Sequence, residues 1–143
     1  MNSSLSFDLL CIIPNPKGDI RRIYPGSSPH LQPAEIYSTD ILPGETKGWK
    51  CHTQMTCRII PCAGITKFVV IPPILHECEH PSYASFTLSL QPDSYGVLTI
   101  PPMHTFAFQS LGPSVSTLLN LSDMIHDPGE AINLPLTTYP YNW

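Results

Sequence analysis

Seventeen prolines in 143 residues, more than twice the usual ~5%, constrain this chain more than any other feature. They are spread along it rather than clustered. A proline inside a helix removes a hydrogen bond and clashes with the preceding turn, so long helices are excluded. In a sheet, proline is confined to edges, strand ends and bulges. Short strands separated by turns are what remains. The segments between prolines agree with this. SFTLSL (85–90) alternates polar and apolar residues with a period of two, the pattern of a half-buried strand. Residues 65–71 are β-branched and aromatic, as in a fully buried strand. Further strands are expected at 5–13, 20–24, 34–42, 95–100, 105–111 and 116–122, and the tail from Asp127 reads as irregular. Short strands at this spacing indicate an all-β sandwich or barrel. The length suits a single domain over residues 1–143.

Only 13% of residues are charged, against 42% hydrophobic. A chain with about half the usual charge has much of its surface covered, and a second subunit is one way to cover it. No run of Lys and Arg offers a track for phosphates, so no nucleic acid partner is expected. The apolar runs are too short to span a bilayer as helices, and no basic residue precedes the apolar stretch at 9–13. No membrane partner and no signal peptide are expected. The five cysteines form no repeated spacing. They read as free thiols in a reducing cytoplasm rather than a disulfide framework.

Two stretches carry candidate chemistry. His76-Glu77-Cys78-Glu79-His80 matches the H-E-x-x-H pattern, which binds zinc by placing two histidines on one helical face. Pro72, Pro73 and Pro81 leave no room for that helix, so a polar loop without metal is the reading adopted. The second stretch, Lys47 to Gly64, places Lys50, His52 and Gln54 two residues apart. On an extended strand they share a face, which is either a solvent face or a cavity wall.

The order of segments around this stretch resembles the dTDP-4-dehydrorhamnose 3,5-epimerase-related proteins, the sugar-nucleotide epimerases of the cupin class. The residues that carry the likeness are AEIY at 34–37, KGW at 47–49, IPP and an aromatic-rich strand at 100–108, DPGE at 127–130 and the closing PYNW. The resemblance implies a cupin-type jelly roll, a double-stranded β-helix barrel. It also implies a small-molecule substrate in the barrel mouth and a homodimer. In those enzymes a histidine acts as base, supported by an aspartate, with a tyrosine as acid across the sugar. A proton alpha to a ketone is taken from one face and returned on the other.

By that likeness, Lys50 holds the histidine position, and His52 falls where relatives have glutamine or a second histidine. Leu119 holds the tyrosine position, and Asn133-Leu134-Pro135 offers no carboxylate where the aspartate is expected. Phe106 stands in the later histidine position, with His104 two places earlier. A cupin metal set is therefore incomplete, and neither metal nor cofactor is expected. Lys50 reads in three ways: extended to water, enclosed by Trp49, Phe106 and Phe108, or paired with Glu35, Asp40 or Glu45. Lys50 and His52 are the catalytic candidates. Trp49, Gln54, Arg58, His104, Phe106, Phe108 and Asn120 are the substrate-binding candidates, the polar ones open to a surface placement, as is Tyr37.

The expected function is an epimerase-like cupin repurposed as an isomerase or cyclase of a small carbonyl-containing intermediate. The alternatives are a non-catalytic ligand-binding or structural member, and an active 4-keto sugar-nucleotide epimerase with an altered base.

Overall fold

The structure, a computed structural model, describes residues 4–23, 32–73 and 81–143. The His76–His80 stretch lies outside them. Among the described residues there is no α-helix. There are twelve strands: β1 (Ser6–Leu9), β2 (Ile12–Ile13), β3 (Ile20–Arg21), β4 (Glu35–Ile41), β5 (Thr46–His52), β6 (Cys57–Ala63), β7 (Thr66–Ile71), β8 (Ala84–Leu88), β9 (Gly96–Ile100), β10 (Thr105–Ser110), β11 (Ser116–Ser122) and β12 (Ala131–Asn133). Two five-stranded antiparallel sheets run in the orders β1-β9-β6-β11-β4 and β12-β5-β10-β7-β8, and β2 and β3 form a small hairpin.

The inner faces of the two sheets meet in one core. Ile41, Ile59, Leu98, Ile100 and Leu118 come from the first sheet, and Phe68, Val70, Leu88 and Phe106 from the second. Alternation sends the other residues outward, and along the central strands many of those are buried too. Behind the first sheet, Ile60, Tyr95 and Leu121 are covered by Leu10 and Ile12. Behind the second, Trp49, Val69, Ile71 and Ala107 are covered by Tyr83, Tyr139, Tyr141 and Trp143. The scarcity of charge thus has a cause within the chain: the central strands of both sheets are largely apolar on both faces.

Two local features have clear causes, and the second departs from the sequence reading. β6 continues through Pro61 to Ala63. The pairing of β6 with β11 slips by one residue there, Leu118 facing Pro61 and Thr117 facing Ala63. A bulge of this kind is where a sheet accepts a residue without an N–H.

The tail expected to be irregular begins instead with β12, paired to β5. It then locks onto Trp49. The backbone of Trp49 exchanges two hydrogen bonds with Leu134, at 2.9 and 2.8 Å. The indole Nε1 donates to the Leu136 carbonyl at 3.2 Å. The Tyr139 and Trp143 rings lie 5.5 and 5.8 Å from the indole. Replacing this ring empties a closed site, so Trp49→Ala is expected to cost about 3–5 kcal/mol, measured by urea unfolding. A chain lacking residues 139–143 should lose a smaller part of that.

Candidate active site

A cavity of about 330 Å³ opens between the sheets. Lys50 and His52 of β5, Phe68 of β7, and Phe106 and Phe108 of β10 line one wall. Tyr37 and Thr39 of β4, Cys57 and Ile59 of β6, and Leu118 and Asn120 of β11 line the other, and Lys47, Asn133 and Leu134 border it. Its position follows from local sequence. Gly48 holds φ at +126°, and a Cβ there would meet Ala107 at 2.6 Å. Only glycine lets β5 approach β10 this closely. Immediately beyond it, Lys50 stands opposite Phe106 across the ladder.

His52 is 3% exposed, and so is Glu130. Their side chains are hydrogen-bonded, His52 Nδ1 to Glu130 Oε1. The second carboxylate oxygen accepts the backbone N–H groups of Gln54 at 3.1 Å and Met55 at 3.2 Å. Burial alone would raise the Glu130 pKa. The hydrogen bonds from His52, Gln54 and Met55 outweigh it and hold the group below its ordinary 4.5. An ionised carboxylate at Nδ1 selects the tautomer with the proton on that nitrogen, which leaves a lone pair on Nε2. The imidazole itself stacks on Phe106, centroids 6.1 Å apart.

This carboxylate is the residue the sequence reading missed. It was sought at Asn133–Pro135 but comes from the DPGE segment. There Asp127 caps a short 3-10 turn, Pro128–Glu130. Because Ala131 pairs with His52 across the β12–β5 ladder, the residue just before it reaches the imidazole. The register of a strand not foreseen in the tail was the missing information.

Lys50 is half-buried and faces the cavity. Among the described residues it has no ion-pair partner. Two of the three expected partners are engaged elsewhere: Glu35 accepts the His126 N–H, and the Asp40 carboxylate accepts the Thr117 hydroxyl. On the opposite wall, Asn120 Nδ2 donates to the Tyr37 hydroxyl at 2.8 Å, and Asn120 Oδ1 accepts the Arg58 N–H at 3.0 Å. Burial raises the Tyr37 pKa, and it pushes the Cys57 thiol up to about 12, so both stay protonated at neutral pH.

Of the binding candidates, Phe106, Phe108 and Asn120 line the cavity as expected. The other four are placed differently. Trp49 borders the cavity, but its ring lies on the opposite face of β5 among Val69, Ile71 and Ala107, so it does not enclose Lys50. Gln54 is exposed, because β5 ends at His52 and the period of two ends with it. Arg58 lies between Cys57 and Ile59, which take the inner face, and its side chain falls on the outer one. His104 sits in the turn before β10, its Nδ1 3.2 Å from the Pro102 carbonyl, and does not share the face of Phe106. Tyr37 does line the cavity, carried there by alternation with Glu35 and Thr39 along β4.

No protein-family model and no curated protein sequence matches the chain. Solved structures do. A dTDP sugar isomerase from Desulfovibrio desulfuricans G20 is 27% identical over 99% of this chain and 92% of its own, with a TM-score of 0.86. QdtA, a sugar 3,4-ketoisomerase from Thermoanaerobacterium thermosaccharolyticum in complex with TDP, is 17% identical over 90% and 86%, with a TM-score of 0.71. NovW, a 4-keto-6-deoxy sugar epimerase from Streptomyces spheroides, is 13% identical over 94% and 75%, with a TM-score of 0.75. The last two likenesses are of fold.

The lowered Glu130 pKa sets an acid limb of stability. Its contribution is complete above the ordinary value of 4.5 and is lost as pH falls through the lower folded value. Thermal midpoints of the native chain should therefore drop more steeply below about pH 4.5 than those of Glu130→Gln, which carries no such proton uptake.

Proposed function

We propose that this chain, which belongs to the epimerase-like cupins, is an isomerase of a nucleotide-linked keto sugar, with His52 as base. The observation that carries this reading is the buried His52–Glu130 pair beside a cavity. The Nε2 lone pair takes a proton from the carbon next to the substrate carbonyl. The C–H electrons become the enolate double bond, and the negative charge moves to the carbonyl oxygen. Glu130 stabilises the imidazolium that forms, as the aspartate does in a Ser-His-Asp triad. The Lys50 ammonium supplies the counter-charge to the enolate, and it acts strongly because no carboxylate of the described residues competes for it. In the enediolate the hydroxyl proton of the carbon first deprotonated passes to the former carbonyl oxygen, and the imidazolium returns its proton to the former carbonyl carbon, so that the carbonyl moves along the ring.

Cavity size supports a sugar. About 330 Å³ lies at the low end of the ~300–1,000 Å³ of small-molecule sites, enough for one ring with the nucleotide outside. Lys47, exposed at the border, donates from Nζ to the Asp40 carbonyl at 2.6 Å and keeps two ammonium hydrogens with which to meet a phosphate. One observation favours an epimerase as the second reading. Tyr37, protonated and on the opposite sheet, stands where a proton would be returned to the other face. Ring closure of a different carbonyl substrate would use the same base, and no feature of the cavity favours it. A non-catalytic role is disfavoured by a buried carboxylate and imidazole beside an open cavity, since such pairs are costly where they do no chemistry. We also propose a homodimer along the outer edge of β4, which no strand of the described residues pairs and where Ile36 is 58% exposed. A monomeric mass in equilibrium sedimentation would rule it out.

The test of the reaction is solvent exchange. Incubated in D₂O with dTDP-4-keto-6-deoxyglucose, the protein should place deuterium on a carbon adjacent to the ketone, read by proton NMR. His52→Asn should slow this by about 10²–10⁴-fold. Binding of the same compound without any exchange would assign the chain to the non-catalytic alternative.

A further inference from the structure

Asn120 is 4% exposed, on the strand between β6 and β4, and its side chain reaches both neighbours. Its oxygen accepts the Arg58 backbone N–H at 3.0 Å. A backbone N–H can only donate, so this contact settles which end of the amide is oxygen. The other end is the NH₂ group, 2.8 Å from the Tyr37 hydroxyl oxygen, and an amide NH₂ also can only donate. Tyr37 is therefore the acceptor in that bond, and its own O–H proton is not used there. No acceptor among the described residues takes that proton, and the ring lines the cavity.

We infer that Asn120 is a positioning residue that fixes the polarity of the Tyr37 hydroxyl, so that the phenolic proton is presented to the ligand in the cavity. The inference rests on the acid role given to Tyr37 in the second reading above, and it adds the device that makes Tyr37 a donor. Two further observations agree. Asn120 and Tyr37 are direct partners in the β11–β4 ladder, so their contact is set by register rather than by a mobile side chain. Burial, together with the neighbouring Cys57, Glu35 and Glu130, keeps the phenol protonated against the pull of the Asn120 donor.

The variant that isolates polarity from packing is Asn120→Asp. A carboxylate of the same shape still accepts the Arg58 N–H but cannot donate. It accepts the Tyr37 O–H instead, and the proton is withdrawn from the cavity. With dTDP-4-keto-6-deoxyglucose, kcat should fall about 10²-fold, the scale of one general acid, with KM changed less than about threefold. In a Tyr37→Phe background the same substitution should change kcat by less than about twofold, since the group it acts through is gone. Equal losses in both backgrounds, or full activity of Asn120→Asp, would overturn the inference.

A second readout does not depend on turnover. With ¹³Cζ-labelled tyrosine, the Tyr37 resonance, assigned by its loss in Tyr37→Phe, should titrate at higher pH in both Asn120→Asp and Asn120→Ala. The first adds a negative charge and an acceptor, and the second removes the donor. An unmoved midpoint in a folded variant sinks the polarity claim. If the native chain turns over no keto sugar but the midpoint moves, the proposed reaction fails and the hydrogen-bond assignment stands.

Discussion

Everything at the cavity depends on β5 being enclosed from both sides. A strand open to water on one face tolerates slippage, whereas one buried on both faces has its alternation pinned. Trp49 is the pin. Its ring is held behind the sheet by Tyr139 and Trp143, its backbone by Leu134 and its Nε1 by Leu136. With Trp49 committed outward, Lys50 and His52 have no choice but to face the interior. The aromatic cluster behind the sheet is thus what aims Lys50 and His52 into the cavity.

The same logic explains how two ionisable groups come to share a nearly dry site. A buried carboxylate is unfavourable unless its oxygens are satisfied. Glu130 has three donors, an imidazole and two backbone N–H groups from the bend that follows β5. The bend thus serves twice, ending the strand and holding the carboxylate that orients the last residue of that strand. Lys50 is left outside this arrangement, a positive charge facing the cavity with no ion-pair partner among the described residues. Ligand negative charge, whether permanent or developing, is what it can answer.

Most of the strands were legible in the sequence, because prolines mark their ends and the period of two marks their faces. The cupin class was legible through segments such as AEIY and KGW. The site was legible only in part. Phe106 and Phe108 lie on the regular β10, and Lys50 and His52 on the regular end of β5 past its irregularity, where alternation is a sound guide. Gln54 and His104 lie one or two residues beyond a strand end, where it is not. Arg58 shows the complementary failure, a residue on a strand whose facing could be judged only from the burial of its neighbours. Glu130 was hidden for a different reason. Its place is set by the pairing of a three-residue strand in the tail, and a contact between residues 78 positions apart leaves no local pattern.

The order in which the parts of the site occur along the chain has a consequence for synthesis. Glu130 and the aromatic residues that pin Trp49 from residue 134 onward follow every strand of both sheets except β12. A chain halted at Met124 would already contain most of the cavity lining, including Lys50, His52, Tyr37 and Asn120. It would lack the carboxylate that sets the imidazole tautomer and the lock that aims it. Nascent and truncated chains therefore have the walls and His52 without the groups that orient it, and on the reaction proposed above its proton transfer must wait until the segment beyond β11 has docked.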